Sequence, residues 1–154
     1  DNETVKEEIR YLNGKVLIQG KDFGKDELEI VTDKKPTESQ IKDLLFAQKV
    51  VKYVKSNAIV VAKDMQTLGC GAGQQSRVWA LESIKDHFKD RDFTGAVMGS
   101  DAFFPFPDTV ELAHEMGIIS IIQPGGSLKD QDSIDKCNEY DMSMVFGKSR
   151  HFKH

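Results

Sequence analysis

An α/β fold with a mixed sheet is what this sequence predicts, and three observations predict it. From residue 36 onward, short apolar runs alternate with longer segments of helical spacing. Glycine, proline, asparagine and aspartate punctuate the boundaries between them. Near the start, Asn13-Gly14 separates two strand-like runs, the strongest short signal for a hairpin. Together they predict a β-hairpin followed by a three-layer α/β/α unit.

The elements follow in order. Residues 8–12 and 15–19 form the hairpin arms, and 28–31 a third strand. Pro36-Thr37 opens a helix in which Thr37 and Gln40 fit a capping box. Ile41, Leu44, Leu45, Val51 and Val54 keep helical spacing to about residue 55. Residues 58–62 are a strand, 64–67 turn it, and 68–70 form the next. A helix over 74–89 follows Gly71 and Gly73. Strands at 95–99, 118–122 and 142–146 then alternate with helices at 107–116 and 130–140. Pro107 at the start of one helix and Gly117 just past its end suit helix termini. Residues 1–35 read as a hairpin and strand segment linking to a lobe upstream, and 36–154 as the α/β/α unit. The first residue is Asp rather than Met, which fits a trimmed start or a segment of a longer chain.

Composition narrows the function. The 154 residues are 39% hydrophobic and 30% charged, ordinary for a soluble globular domain. A net charge of −4 with interspersed signs leaves no basic stripe for nucleic acid. No apolar run has the length of a membrane span, and no signal peptide is visible. Cys70 and Cys137 fit a reduced, cytoplasmic compartment without disulfides. The histidines lack metal-ligand spacing with the cysteines. A zinc-deaminase signature and a Gly-x-Ser-x-Gly elbow are both absent.

Sheets of this kind bind ligands at the carboxyl ends of their strands. Two loops fall there. Ser100-Asp101-Ala102-Phe103-Phe104-Pro105-Phe106-Pro107-Asp108 crowds aromatics and acids together. It reads as a grip for a planar ligand, or as buried rings that pin the loop. Pro124-Gly125-Gly126-Ser127 is a close-approach loop or a plain turn. Lys55-Ser56-Asn57 offers either a turn or an amide that orients a ligand. Gly71-Ala72-Gly73-Gln74-Gln75-Ser76-Arg77 offers either a turn or backbone N–H groups for an anion. Trp79 reads as core. The tail Arg150-His151-Phe152-Lys153-His154 reads as a frayed end or as part of a site for an anionic, planar ligand.

Asp43-Leu44-Leu45-Phe46-Ala47 with Lys49-Val50-Val51, Lys55-Ser56-Asn57-Ala58, Gly71-Ala72-Gly73-Gln74 with Ser76-Arg77, the run from Ser100 to Phe106 with Asp108, the run from Gln123 to Ser127, and the tail from Arg150 to His154 closely resemble the AICAR transformylase family. Its domain also occurs joined to IMP cyclohydrolase. The resemblance covers about residue 13 to the last. Trp79 and Pro107-Asp108 look more like the monofunctional members. The resemblance implies a cytidine-deaminase-like lobe and formyl transfer from 10-formyltetrahydrofolate, as co-substrate, to AICAR. It also implies a homodimer, with purine biosynthesis as the setting.

Residue by residue, Asn57 looks like the amide beside the reacting amine. Arg77, Phe103 and Arg150 look like AICAR contacts, with Asp101, Phe152 and His154 shaping the same pocket. Val78, Asp108, Ser127 and Leu128 look like folate-side contacts. The family's catalytic Lys-His pair has no counterpart, since Lys153-His154 matches the tail instead. The chain is therefore expected to be the C-terminal lobe, inactive without its N-terminal partner lobe. A non-catalytic purine-ribonucleotide or folate-binding module, or a purely structural lobe, is the alternative.

Overall fold

The computed structural model describes residues 7–20 and 24–147. Its elements are β1 (Glu8–Leu12), β2 (Lys15–Gly20), β3 (Gly24–Ile30), α1 (Glu38–Val51), β4 (Ile59–Lys63), β5 (Gln66–Gly71), α2 (Arg77–His87), β6 (Val97–Ser100), α3 (Asp108–Glu115), β7 (Ser120–Gln123), α4 (Asp130–Glu139) and β8 (Ser143–Phe146). Among the described residues they build one eight-stranded sheet in the order β1-β2-β3-β8-β7-β6-β4-β5. Strands β6, β7 and β8 are parallel, and β3 and β4 border them antiparallel, so the sheet is mixed.

Two tight turns have local causes. Asn13 (φ 51°) and Gly14 (φ 75°) both adopt the left-handed region that a two-residue hairpin requires. The β4–β5 turn uses Asp64 and Met65, also left-handed. The Asp43 carboxylate stabilises it, accepting the Asp64 N–H at 3.1 Å and the Met65 N–H at 2.8 Å.

Strand periodicity then builds three layers. Successive side chains of a strand point to opposite faces. Val60 and Ala62 pack with Ile41, Leu44 and Val51 of α1 on one face. Ile59 and Val61 pack with the α2, α3 and α4 residues Leu81, Val110 and Cys137 on the other. Both faces are covered, so the central strands read as continuous apolar runs rather than alternating ones. Val16, Ile18 and Leu28 of the hairpin segment enter the α1 core, and β3 bonds to β8 through Glu29↔Phe146 and Ile30↔Val145. The segment over 1–35 is thus built into the same sheet wherever it is described.

Two helix boundaries differ from expectation by three residues or more. Helix α1 keeps its capping box but ends at Val51, short of residue 55. Helix α2 begins at Arg77, not 74, with Ser76 Oγ accepting the Trp79 N–H. Both shifts have one cause: residues 55–57 and 73–74 are bonded to each other instead of to helices. Trp79 is half exposed, correcting its reading as core. The buried stripe of α2 is Ala80, Leu81 and Ile84, and Trp79 lies off that stripe.

Candidate active site at the carboxyl edge of the sheet

Strand register gathers the motifs at one edge. Ile59 sits opposite both Gly71 and Ser100, so the start of β4 lies beside the ends of β5 and β6. Parallel pairing of Gly99 with Ile122 and of Gln123 with Phe146 brings the ends of β7 and β8 alongside. Helices α2, α3 and α4 each begin on leaving this edge.

Asn57 is fixed by the neighbouring loop. The Ser56–Asn57 peptide is cis. The Gly73 N–H donates to the Lys55 carbonyl at 2.7 Å, and the Gln74 N–H to the Asn57 carbonyl at 3.4 Å. In return the Asn57 N–H and Nδ2 both donate to the Gln74 carbonyl, at 3.3 and 3.0 Å. A carbonyl only accepts, so the amide nitrogen must be the atom facing Gln74. Oδ1 then lies on the other side, with no partner among the described residues. These bonds commit the Gly73 and Gln74 N–H groups to carbonyls, which takes these two out of the backbone donors that the anion reading of the glycine loop offered.

Asp101 links this segment to α2. Its Oδ1 accepts the Ala58 N–H at 3.3 Å and pairs with Arg77 Nη2 at 3.4 Å. The Arg77 and Asp101 side chains are only 18% and 12% exposed. Arg77 Nε is buried without a partner.

The aromatic loop divides its three rings. Phe104 is wholly buried and pins the loop to the core, while Phe103 and Phe106 are 40% and 55% exposed. Each of the two sequence readings therefore describes part of the loop. Asp108 opens α3 and accepts its neighbour's N–H, from Thr109, at 2.8 Å. On the loop after β7, Lys129 Nζ lies 5.4 Å from the Phe106 ring centroid, which joins the two loops. The Asp130 carboxylate fills the start of α4, accepting the Gly126 and Ser127 N–H groups at 2.8 and 3.2 Å. Ser127 is half buried and Leu128 fully exposed.

Asp101 thus bonds both Arg77 and the Ala58 backbone next to Asn57, while Asn57 itself bonds to Gln74, and Phe103 lies on the loop that Asp101 begins. Val78, Asp108, Ser127 and Leu128 lie on the same edge without bonds to that cluster. Arg150, Phe152 and His154 lie outside the described residues. Sequence reasoning missed the Gln74 clamp and the Lys129–Phe106 contact. A backbone carbonyl leaves no sequence signal, and Lys129 looked like any loop lysine. A cleft of about 530 Å³ near His87, Phe88 and Arg91 holds none of these residues. It lies at the far end of the 11-residue α2, roughly 16 Å from the edge. No helix among the described residues is long and apolar enough to cross a membrane.

The fold and edge define an α/β protein that gathers an amide, a guanidinium, carboxylates and exposed rings where strands end. A family model described as the AICARFT/IMPCHase bienzyme matches residues 1–86, and the chain belongs to that family. It is 56% identical over 148 residues to the bifunctional purine biosynthesis protein PurH of Clostridioides difficile, covering 96% of this chain and 29% of that protein. It is 50% identical over 156 residues to PurH of Caldicellulosiruptor saccharolyticus, covering 100% of this chain and 30% of that protein. The chain thus spans under a third of the length of these relatives. Both are bifunctional, against the leaning that Trp79 and Pro107-Asp108 suggested. A solved diaminohydroxyphosphoribosylaminopyrimidine deaminase/5-amino-6-(5-phosphoribosylamino)uracil reductase from Thermotoga maritima aligns with a TM-score of 0.44 and 19% identity. That alignment covers 69% of this chain and 34% of the other.

Proposed function

We propose that this chain is the C-terminal, cytidine-deaminase-like lobe of an AICAR transformylase and supplies half of its active site. The reaction is formyl transfer from 10-formyltetrahydrofolate to the 5-amino group of AICAR, giving formyl-AICAR in purine biosynthesis. The observation that carries this reading is Asp101 bonded to both Arg77 and the Ala58 N–H, directly beside Asn57 at the carboxyl edge, with the exposed Phe103 ring on the same loop as Asp101.

The chemistry explains why such groups are needed. The 5-amino lone pair of AICAR delocalises into the ring and carboxamide, so the amine is a poor nucleophile. Transfer then requires a base for its proton, donors for the developing oxyanion, and two ligands held in contact. Asn57 turns its unpartnered Oδ1 outward, where it accepts an N–H of the amine. Arg77 meets polar oxygens of the same ligand, and Phe103 stacks on the flat imidazole. Val78, Asp108, Ser127 and the exposed Leu128 face the folate. Arg150, Phe152 and His154 complete the nucleotide side. The Lys-His proton chemistry belongs to the other lobe, the site forms in a cytoplasmic homodimer, and the reading calls for no metal.

A formyl-transfer assay with AICAR and 10-formyltetrahydrofolate tests this, run with the chain alone and mixed with a separately made N-terminal lobe. Turnover only on mixing is the expected result. Turnover by the chain alone that disappears in Asn57→Ala would put the essential base within these residues and overturn the split-site reading. AICAR binding without turnover in either format would mark a non-catalytic module. No affinity and no turnover in either would mark a structural lobe.

A further inference from the structure

We propose that Asp101 is a positioning residue that sets Arg77 and the Asn57–Ala58 backbone as one unit, without touching ligand itself. The inference rests on the formyl-transfer reading and assigns a division of labour inside that site. One carboxylate oxygen, Oδ1, receives both the Ala58 N–H at 3.3 Å and the Arg77 guanidinium at 3.4 Å. The Asp101 N–H returns to the Ala58 carbonyl at 3.4 Å, so Ala58 is gripped through both of its backbone polar groups. Ala58 directly follows Asn57, whose side chain is clamped from the other side by Gln74.

Asp101 is the acceptor that the Arg77 guanidinium has among the described residues, since Nε is buried and unpartnered. A guanidinium at this depth is costly without its counter-charge, so removing the carboxylate turns Arg77 outward to water. The same loss leaves the Ala58 N–H without its acceptor and loosens the strand start that carries Asn57. All three Asp101 contacts are long for hydrogen bonds, so the grip sets direction more than it adds stability. Oδ1, the oxygen that makes both side-chain contacts, faces Ala58 and Arg77, so Asp101 acts on the pocket through these two groups.

Two substitutions in the complete gene product separate the parts. Asp101→Asn keeps an acceptor for Ala58 but gives up the charge facing Arg77, and Asp101→Ala gives up both. Asp101→Asn is expected to raise KM for AICAR about tenfold while kcat and the KM for formyl-folate stay within about twofold. Combining it with Arg77→Gln adds no further loss beyond Arg77→Gln alone, the signature of two groups acting as one. Additive losses would mean that Asp101 meets ligand on its own account and would overturn the proposal. A lower melting temperature with kcat and KM unchanged would overturn it too, as a merely structural role.

Amide exchange of the peptide over residues 55–60 is the ligand-free arm. Asp101→Ala is expected to speed it about tenfold relative to Asp101→Asn. If the wild-type protein transfers no formyl group, the functional reading fails, and this exchange arm decides the positioning claim by itself. Equal exchange in the two variants overturns that claim.

Discussion

Phe104→Ala and Phe103→Ala, two truncations of the same ring at neighbouring positions, are expected to separate stability from ligand recognition. Phe104 has no solvent exposure and packs in the core beneath α2, α3 and α4. Removing a fully buried ring loses its transfer free energy and leaves a cavity, which together cost about 3–5 kcal/mol. At roughly 2–4 °C per kcal/mol for a chain of this size, the melting temperature falls by roughly 6–20 °C. Phe103 keeps 40% of its surface in water, and its truncation is expected to cost under about 1 kcal/mol. Urea unfolding followed by circular dichroism reads the difference as a shift in midpoint at constant slope. The ligand side reverses the order: Phe103→Ala raises KM for AICAR, whereas folded Phe104→Ala protein suffers less. Similar midpoint shifts for both variants would refute the division of the loop into an anchor and a ligand-facing ring.

Gly71→Ala drives a methyl group into the Ala80 carbonyl where α2 lies against β5, and overpacking of this kind costs about 1–3 kcal/mol; a urea midpoint unchanged from wild type would contradict that close approach. Asp43→Ala strips the acceptor from the Asp64 and Met65 N–H groups in a left-handed turn, an expected loss of about 1–3 kcal/mol by the same unfolding measurement. Burial pushes the Cys137 thiol from the ordinary 9.0 up to about 12. Its folded-state value is raised, so this stabilisation is whole below pH 9 and is lost as pH rises toward 12. The loss runs at about 1.4 kcal/mol per pH unit, because only the unfolded chain releases the proton there. Stability against pH between 9 and 11 is therefore expected to fall more steeply in wild type than in Cys137→Ala, and parallel curves would remove the buried thiol as the cause.

Much of the fold was legible because its signals are local. The capping box at Thr37 and Gln40, the Asn13-Gly14 turn and the Pro107 and Gly117 helix boundaries act within a few residues, and each stands where it was expected. The candidate site was legible only as motifs. The loop of 100–108 carried its chemistry openly, yet no pattern distinguished Phe103 from Phe104, because both sit in irregular backbone with no period to assign a face. Trp79 misled for a related reason: a large aromatic beside an apolar stripe reads as core, but the stripe that α2 buries is Ala80, Leu81 and Ile84, and Trp79 lies off it.

Residue order and side-chain type by themselves determined the elements, the layer architecture and the set of motifs destined for the carboxyl edge. Tertiary structure alone decided which groups meet there. The bond from Asn57 to Gln74 spans 17 residues, that from Arg77 to Asp101 spans 24, and that from Ala58 to Asp101 spans 43. Contacts of that reach follow from strand register, which sets Ile59 against both Gly71 and Ser100 and so carries the neighbouring loops together. Local propensity does not encode such register. It arises when whole strands find the pairing that buries both of their faces.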